Sequence, residues 1–253
     1  MSEHRTRTFG LDIIAKNDDD WRMRYPGGKG KCFQNVVNIL PAHRTYIETH
    51  LGGGAVLRHK APAERSFGVD LDDEVISFWR QAFPSLATFI HGDAVSFLTN
   101  WDYKGDELVY CDPPYLPSTR RQKHVYRCDY TEDDHIRLVG TLRTLPCFVV
   151  LSGYPSDLYD GLLHDWSRIQ FQAKTQTSVR TECLWFNYQQ PEALHDAAYL
   201  GKDFRERQVI KRRLTRIQGR LARLPITEKH EVSKWLDQHL AQEGGRHACL
   251  LST

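Results

Sequence analysis

Along most of the chain, short apolar runs of strand length alternate with segments whose apolar positions recur at helical spacing. Tyr46-Ile47-Glu48 leads into a glycine turn and AVLRHK, and Ser66 to Val69 leads into an acidic turn and EVISFWRQAF. Thr88 to His91 leads into GDAVSFL, and Leu108 to Cys111 runs into two prolines. This is the pattern of βαβ units, and it predicts an α/β fold around a mostly parallel sheet. Thr131 then offers a cap to a helix with acids in its first turn and Arg143 near its end. Cys147 to Ser152 reads as a further buried strand, and Arg168 to Ala173 with Glu182 to Tyr188 as an antiparallel edge pair.

The pattern changes near residue 200. Ile210, Leu214, Ile217, Leu221 and Leu224 recur at steps of four and three, giving a helix with one apolar seam that Pro225 stops. Thr227 is placed to cap a second amphipathic helix through Val232, Trp235, Leu236 and Leu240, so residues 201–253 are expected to form a helical hairpin beside a main domain of residues 1–200. The acidic run Asn17 to Asp20 and the glycines near residue 244 read as loop or frayed terminus.

A length of 253 residues with ordinary apolar and charged fractions suits one sizeable core with additions. The formal charge of +2 hides an asymmetry, because Gly201 to Leu224 carries nine Lys or Arg, Lys211, Arg212 and Arg213 among them, against Asp203 and Glu206. Such a segment is a footprint for an anionic polymer. No run approaches the roughly 20 apolar residues of a membrane span, and the N-terminus lacks the layout of a signal peptide, so a cytoplasmic protein is expected. The six cysteines include no C-x-x-C pair, which points to reduced thiols and no metal site.

Three carboxylates end successive strands: Glu48 before Gly52-Gly53-Gly54, Asp70 after FGV, and Asp93 after IHG. In an open α/β sheet ligands bind at the carboxyl ends of the strands, so these acids would line one crevice, suited to a nucleoside-bearing cofactor. RYPGGKGK suggests a phosphate loop, but Cys32 stands where that pattern needs Ser or Thr and no strand is predicted ahead of it. The turn Asp112-Pro113-Pro114-Tyr115 is more specific. Its prolines fix φ and remove two donors, a rigid exit from a strand. That rigidity serves if the Asp112 carboxylate and Pro113 carbonyl are both to accept hydrogens from one exocyclic amine, while Tyr115 stacks on the ring that carries it.

D-P-P-Y after an apolar strand, preceded by Y-I-E-T-H-L-G-G-G and R-Y-P-G-G-K, resembles the Dam-like N6-adenine DNA methyltransferases. L-S-G-Y-P-S-D-L-Y and R-T-E-C-L-W-F-N further downstream look like segments of the short phage and prophage adenine methylases, and the likeness spans roughly Arg24 to Tyr188. It implies a Rossmann-like S-adenosylmethionine-dependent methyltransferase fold, and double-stranded DNA as substrate. By the same resemblance, Tyr25, Gly28 and Lys29 close over the cofactor, and Glu48, Gly52 and Gly54 form the glycine turn beside its methionine part. Asp70 matches the acid on its ribose, Asp93 the acid near its adenine, and Asp112, Pro113, Pro114 and Tyr115 the catalytic turn.

Two departures stand out. Thr49-His50 occupies the place of the family's Pro-Phe after the glutamate, and Asp70 and Asp93 are too close to hold the target-recognition insertion of larger relatives. The replacement expected for that insertion is Pro117 to Tyr130, where Arg120, Arg121, Lys123 and Arg127 interleave with Tyr126, with the basic C-terminal segment as a second candidate. Arg180, Glu182 and Asn187 are candidates to line a base pocket. Structured RNA remains open as an alternative substrate, and so does a non-catalytic nucleic-acid-binding module. Cytosine-N4 chemistry ranks lower, because its catalytic turn usually has Ser in place of Asp.

Overall fold

The computed structural model describes residues 4–8, 11–15, 21–24, 28–30, 32–119, 127–174 and 179–250. Tyr25, Arg120, Arg121, Lys123 and Tyr126 lie outside the described residues, as does the run from Asn17 to Asp20. Three short strands, β1 (His4–Thr8), β2 (Leu11–Ala15) and β3 (Trp21–Arg24), pair antiparallel as a sheet that the apolar pattern does not predict. Runs of four or five residues, one of them, HRTRT, without an apolar position, carry little strand signal. A strand therefore does stand ahead of the glycines of RYPGGKGK, contrary to expectation. The phosphate-loop reading still fails at Cys32.

The main sheet contains β4 (Thr45–Thr49), β5 (Arg65–Asp70), β6 (Thr88–His91), β7 (Glu107–Cys111), β8 (Phe148–Gly153), β9 (Ser167–Lys174) and β10 (Val179–Phe186). Their order is β6-β5-β4-β7-β8-β10-β9. The first five in that order are parallel, and β10 runs antiparallel to both β8 and β9. All residues of β4 and β7 are buried, as a central parallel sheet covered on both faces requires.

Alternate residues face opposite cores. Tyr46, Leu108, Tyr110, Val150 and Phe186 share one cluster with residues of α1 (Phe33–Val37), α2 (Ala55–His59) and α3 (Asp73–Ala82). Ile47, Val109, Cys111, Val149 and Trp185 share the other with α4 (Ala94–Thr99), α5 (Glu132–Leu142) and α6 (Asp157–Leu162). The result is a three-layer α/β/α body. Thr131 caps α5 through a capping box with Asp134, as its sequence predicts.

The chain leaves β4 toward β5 and β6 on one side, and takes up β7 and β8 on the other. The strand order thus reverses between β4 and β7, and the register pairs Thr49 with Cys111. The turns that follow, from His50 and from Asp112, therefore emerge side by side at the crevice where such sheets bind ligands.

The chain divides into two compact units, Met1–Tyr199 and Leu200–Thr253. The second holds α7 (Phe204–Ala222), capped by Asp203, and α8 (Ile226–Leu250). Because α8 begins directly after Pro225, Thr227 lies in its first turn rather than at its cap, and Gly244 and Gly245 are helical rather than frayed. Val209, Leu214 and Ile217 of α7 and Trp235, Leu236 and Leu240 of α8 are exposed. Of the expected apolar seam, Ile210, Leu221, Leu224 and Val232 are half-buried while Leu214, Ile217, Trp235, Leu236 and Leu240 are exposed, so it is only partly covered. No helix among the described residues is long and apolar enough to cross a membrane.

Candidate active site

The glycine turn after β4 needs left-handed backbone, with φ of +43° at Gly52 and +51° at Gly54. Trp79 packs against Gly54 so closely that a Cβ there would lie 2.4 Å from its ring, and its indole donates to the Gly52 carbonyl at 2.9 Å. Asp70, at the end of β5, accepts the N–H of Gly52 at 2.8 Å and of Asp72 at 2.9 Å. Glu48 accepts the Tyr46 hydroxyl and the Leu57 N–H, both at 2.8 Å. Burial pushes both acids up, Glu48 to about 8 and Asp70 to about 6, against the hydrogen bonds that favour their charged forms.

A cavity opens at the switch point. Gly28, Lys29, Glu48, Gly52, Gly54, Asp70, Asp112, Pro113 and Pro114 all line it. His50, Cys128 and Tyr130 also stand in its wall. Asp93 is placed elsewhere: it caps α4 by accepting the Ser96 N–H at 2.8 Å, with Arg137 at 3.5 Å, and does not line the cavity.

His50, one of the departures from the family pattern, is the only non-glycine residue with positive φ among those described, at +59°. Its Nε2 shares a 2.8 Å hydrogen bond with the Tyr130 hydroxyl and its Nδ1 a 3.1 Å bond with Thr49. Burial, and then the neighbouring His135, push His50 down to about 4, so it stands neutral at pH 7. The departure thus builds one wall of the cavity from a histidine-tyrosine pair.

The Asp112–Tyr115 turn leaves β7 and is held from three sides. Ser152 Oγ donates to Asp112 Oδ1 at 2.6 Å, and the Tyr110 hydroxyl lies 3.2 Å from the same serine oxygen. Lys29 Nζ donates to Asp112 Oδ1 at 2.6 Å and also to the Tyr115 hydroxyl. That hydroxyl donates in turn to Glu182 at 2.6 Å, and Glu182 lies 3.8 Å from Lys29. Burial would lower the Lys29 pKa, but Asp112 and Glu182 outweigh it and the ammonium is held well above its ordinary range. Burial raises Glu182, opposed by Lys29 and Tyr115. Asp112 Oδ2, by contrast, takes no hydrogen bond among the described residues, although the aspartate lines the cavity.

Tyr115 itself is buried behind the turn, its ring 4.3 Å from that of Tyr154 in an edge contact. Arg180 stands over Tyr154 at 5.1 Å and donates to the Thr119 carbonyl at 3.2 Å, close to this turn. Asn187 is at the other end of the sheet. It bonds with Val149 and Cys147 at the start of β8, so it does not line a base pocket. Arg127 is paired with Glu74 and lies 3.5 Å from Asp72. Lys211, Arg212 and Arg213 are exposed on α7. Ser152 was not among the residues singled out by sequence. Its signal is the one polar residue ending the apolar run CFVVL.

Strand order, glycine turn and strand-end acids together define a doubly wound, Rossmann-like α/β fold with a ligand crevice at its switch point. Within it, residues 81–177 match the family described as D12 class N6 adenine-specific DNA methyltransferase. The matched segment contains Asp93, Asp112 to Tyr115 and Ser152. No curated protein matches the chain significantly. Among solved structures, TrmK of M. capricolum in complex with S-adenosyl-homocysteine is similar at 6% identity and TM-score 0.43, over 81% of this chain and 93% of that one. An O-methyltransferase from Bacillus cereus, also in complex with S-adenosyl-homocysteine, is similar at 13% identity and TM-score 0.43, over 63% and 80%. An rRNA methylase from Streptococcus thermophilus is similar at 12% identity and TM-score 0.42, over 61% and 93%.

Proposed function

We propose that the chain is an S-adenosylmethionine-dependent methyltransferase that modifies the N6 amine of adenine in double-stranded DNA. The observation that carries this reading is the state of Asp112: one carboxylate oxygen is pinned by Ser152 and Lys29, and the other has no partner among the described residues beside an acid-walled cavity.

The residues present fit the cofactor. Glu48, Asp70 and Asp112 give the cavity the acidic lining that suits a cation. Glu48 and the Gly52–Gly54 turn would hold the methionine part, and Asp70, at its strand end, the ribose hydroxyls. Gly28 and Lys29 would close the cavity, with Tyr25 before them. Asp93 is assigned to the cofactor adenine by resemblance alone, since it caps α4 and does not line the cavity. When bound, S-adenosylmethionine supplies an electrophilic methyl group on a sulfonium.

The protein's own part is to orient the amine. An exocyclic amine is a poor nucleophile because its lone pair is delocalised into the ring. Acceptance of its two hydrogens by Asp112 Oδ2 and the Pro113 carbonyl favours pyramidalisation and directs the lone pair outward. As the new N–C bond forms, the S–CH3 bond breaks to leave a neutral thioether, and the amine, now cationic, loses a proton to Asp112 or to solvent. A duplex hides this amine in its base pair, so the base must be rotated out, with cationic segments holding the phosphates. The ring then stacks on Tyr115, which requires one of the contacts now covering that ring to give way.

The test is single-molecule sequencing of DNA from cells that express the protein, read for methyladenine, beside the variant Asp112→Ala. Methyladenine with the wild type and none with the variant, while cofactor binding survives, is the expected result. Activity retained by Asp112→Ala would overturn the assignment. Preferential transfer to structured RNA in a competition assay would move the substrate to RNA.

A further inference from the structure

Lys29 belongs by family resemblance to the element that closes over the cofactor, yet its ammonium stands at the catalytic turn. It is 97% buried, bonded to Asp112 Oδ1 at 2.6 Å and to the Tyr115 hydroxyl, and it lines the same cavity as Asp112. A lysine ammonium has three protons. Two are used in these hydrogen bonds, and the third takes none among the described residues; Glu182, at 3.8 Å, is an ion-pair neighbour beyond hydrogen-bond reach.

The site therefore presents a carboxylate acceptor and an ammonium donor one hydrogen-bond length apart. The Watson–Crick edge of adenine presents the complementary pair, an amine N–H donor beside the acceptor nitrogen N1. A flipped base is read on this edge by hydrogen bonds. We propose that Lys29 is a specificity-determining residue for the target base, donating to the ring nitrogen adjacent to the amine that Asp112 holds. This rests on the methyltransferase reading above and deepens it. Asp112 alone accepts any amine. The Asp112–Lys29 pair selects an amine that stands next to an acceptor nitrogen, and the buried ammonium penalises a base that leaves its proton unmatched.

A lysine that served only to hold Asp112 and Tyr115 in place would be indifferent to N1. The test is methyl transfer by the wild-type protein to duplex oligonucleotides carrying the methylated site with adenine, 1-deazaadenine or 7-deazaadenine at the target position. Loss of N1 should lower kcat/KM by at least about tenfold, the effect of one charge-assisted hydrogen bond, while 7-deazaadenine stays close to adenine. In Lys29→Met, transfer to adenine should fall, and the difference between adenine and 1-deazaadenine should vanish. Equal rates on adenine and 1-deazaadenine with the wild type would overturn the role of Lys29 alone. An absence of transfer to adenine in every oligonucleotide would overturn the methyltransferase reading and this role with it.

Discussion

Ser152 Oγ donates a 2.6 Å hydrogen bond to the same Asp112 oxygen that Lys29 grips, which holds the carboxylate from two sides and leaves its second oxygen without a hydrogen bond among the described residues. The parallel register puts this contact in place: Cys111 pairs with Leu151, so the next residues on β7 and β8 come level. Ser152→Ala removes one hydrogen bond to a charged group, a loss of about 1.5–3 kcal/mol in orientation. The expected outcome is a fall in kcat of roughly ten- to a hundredfold with cofactor affinity unchanged. Equal losses in cofactor affinity would mean that Ser152 supports the cavity rather than the turn.

Glu48 gives the cavity a pH response whose sign follows from its environment. Its folded pKa of about 8 lies above the ordinary carboxylate value, so at pH 6 the buried group is neutral, and a cationic cofactor favours its ionised form. Cofactor affinity should therefore rise as the pH goes from 6 to 8 and level off above that. Glu48→Gln should flatten this rise, leaving only the smaller contribution of Asp70 near pH 6. For stability the sign is reversed. A carboxyl whose folded pKa is raised favours the fold at pH below its unfolded value, and that advantage is lost as the pH climbs through 8. Calorimetric titrations and thermal melts across this window check both signs.

Gly54 is where the glycine turn is least replaceable. Alanine there would combine a left-handed φ of +51° with a Cβ 2.4 Å from Trp79, whose indole is itself tied to Gly52. Gly54→Ala is expected to cost about 2–4 kcal/mol of stability, from backbone strain plus overpacking. Denaturant unfolding measures it, and a loss below about 1 kcal/mol would mean that Trp79 yields easily.

The elements that carry the cavity acids were legible because each is a short apolar run ended by an acid or a turn, a local signal. Glu48, Asp70 and Asp112 come together because parallel pairing brings strand ends level, which the βαβ alternation already implies. What the chain's local pattern does not contain is the partner across the crevice. Lys29 reaches Asp112 over 83 residues of sequence and Glu182 reaches Tyr115 over 67, and neither spacing has a period. Asn187 shows the converse. It follows Glu182 by five positions, but β10 runs antiparallel to β8, so its end lies at the opposite strand ends of the sheet from the Asp112–Tyr115 turn. The N-terminal sheet escaped because its strands are only four or five residues long and HRTRT holds no apolar residue at all.

The cations of α7 offer a different kind of test, since Lys211, Arg212 and Arg213 are exposed and adjacent on a helix whose apolar residues Val209, Leu214 and Ile217 are also exposed. If the helix lies along DNA, replacing the three cations by glutamine removes up to three phosphate contacts. Each contact contributes about 0.9 to the slope of log affinity against log salt, so the slope should flatten by up to about 2.7. Loss of affinity should be largest at low salt and similar for unrelated sequences, because phosphate contacts position a protein without reading bases. An unchanged slope, together with a change in oligomeric state on replacing Leu214 and Ile217 by serine, would instead assign α7 to a protein contact through its apolar face.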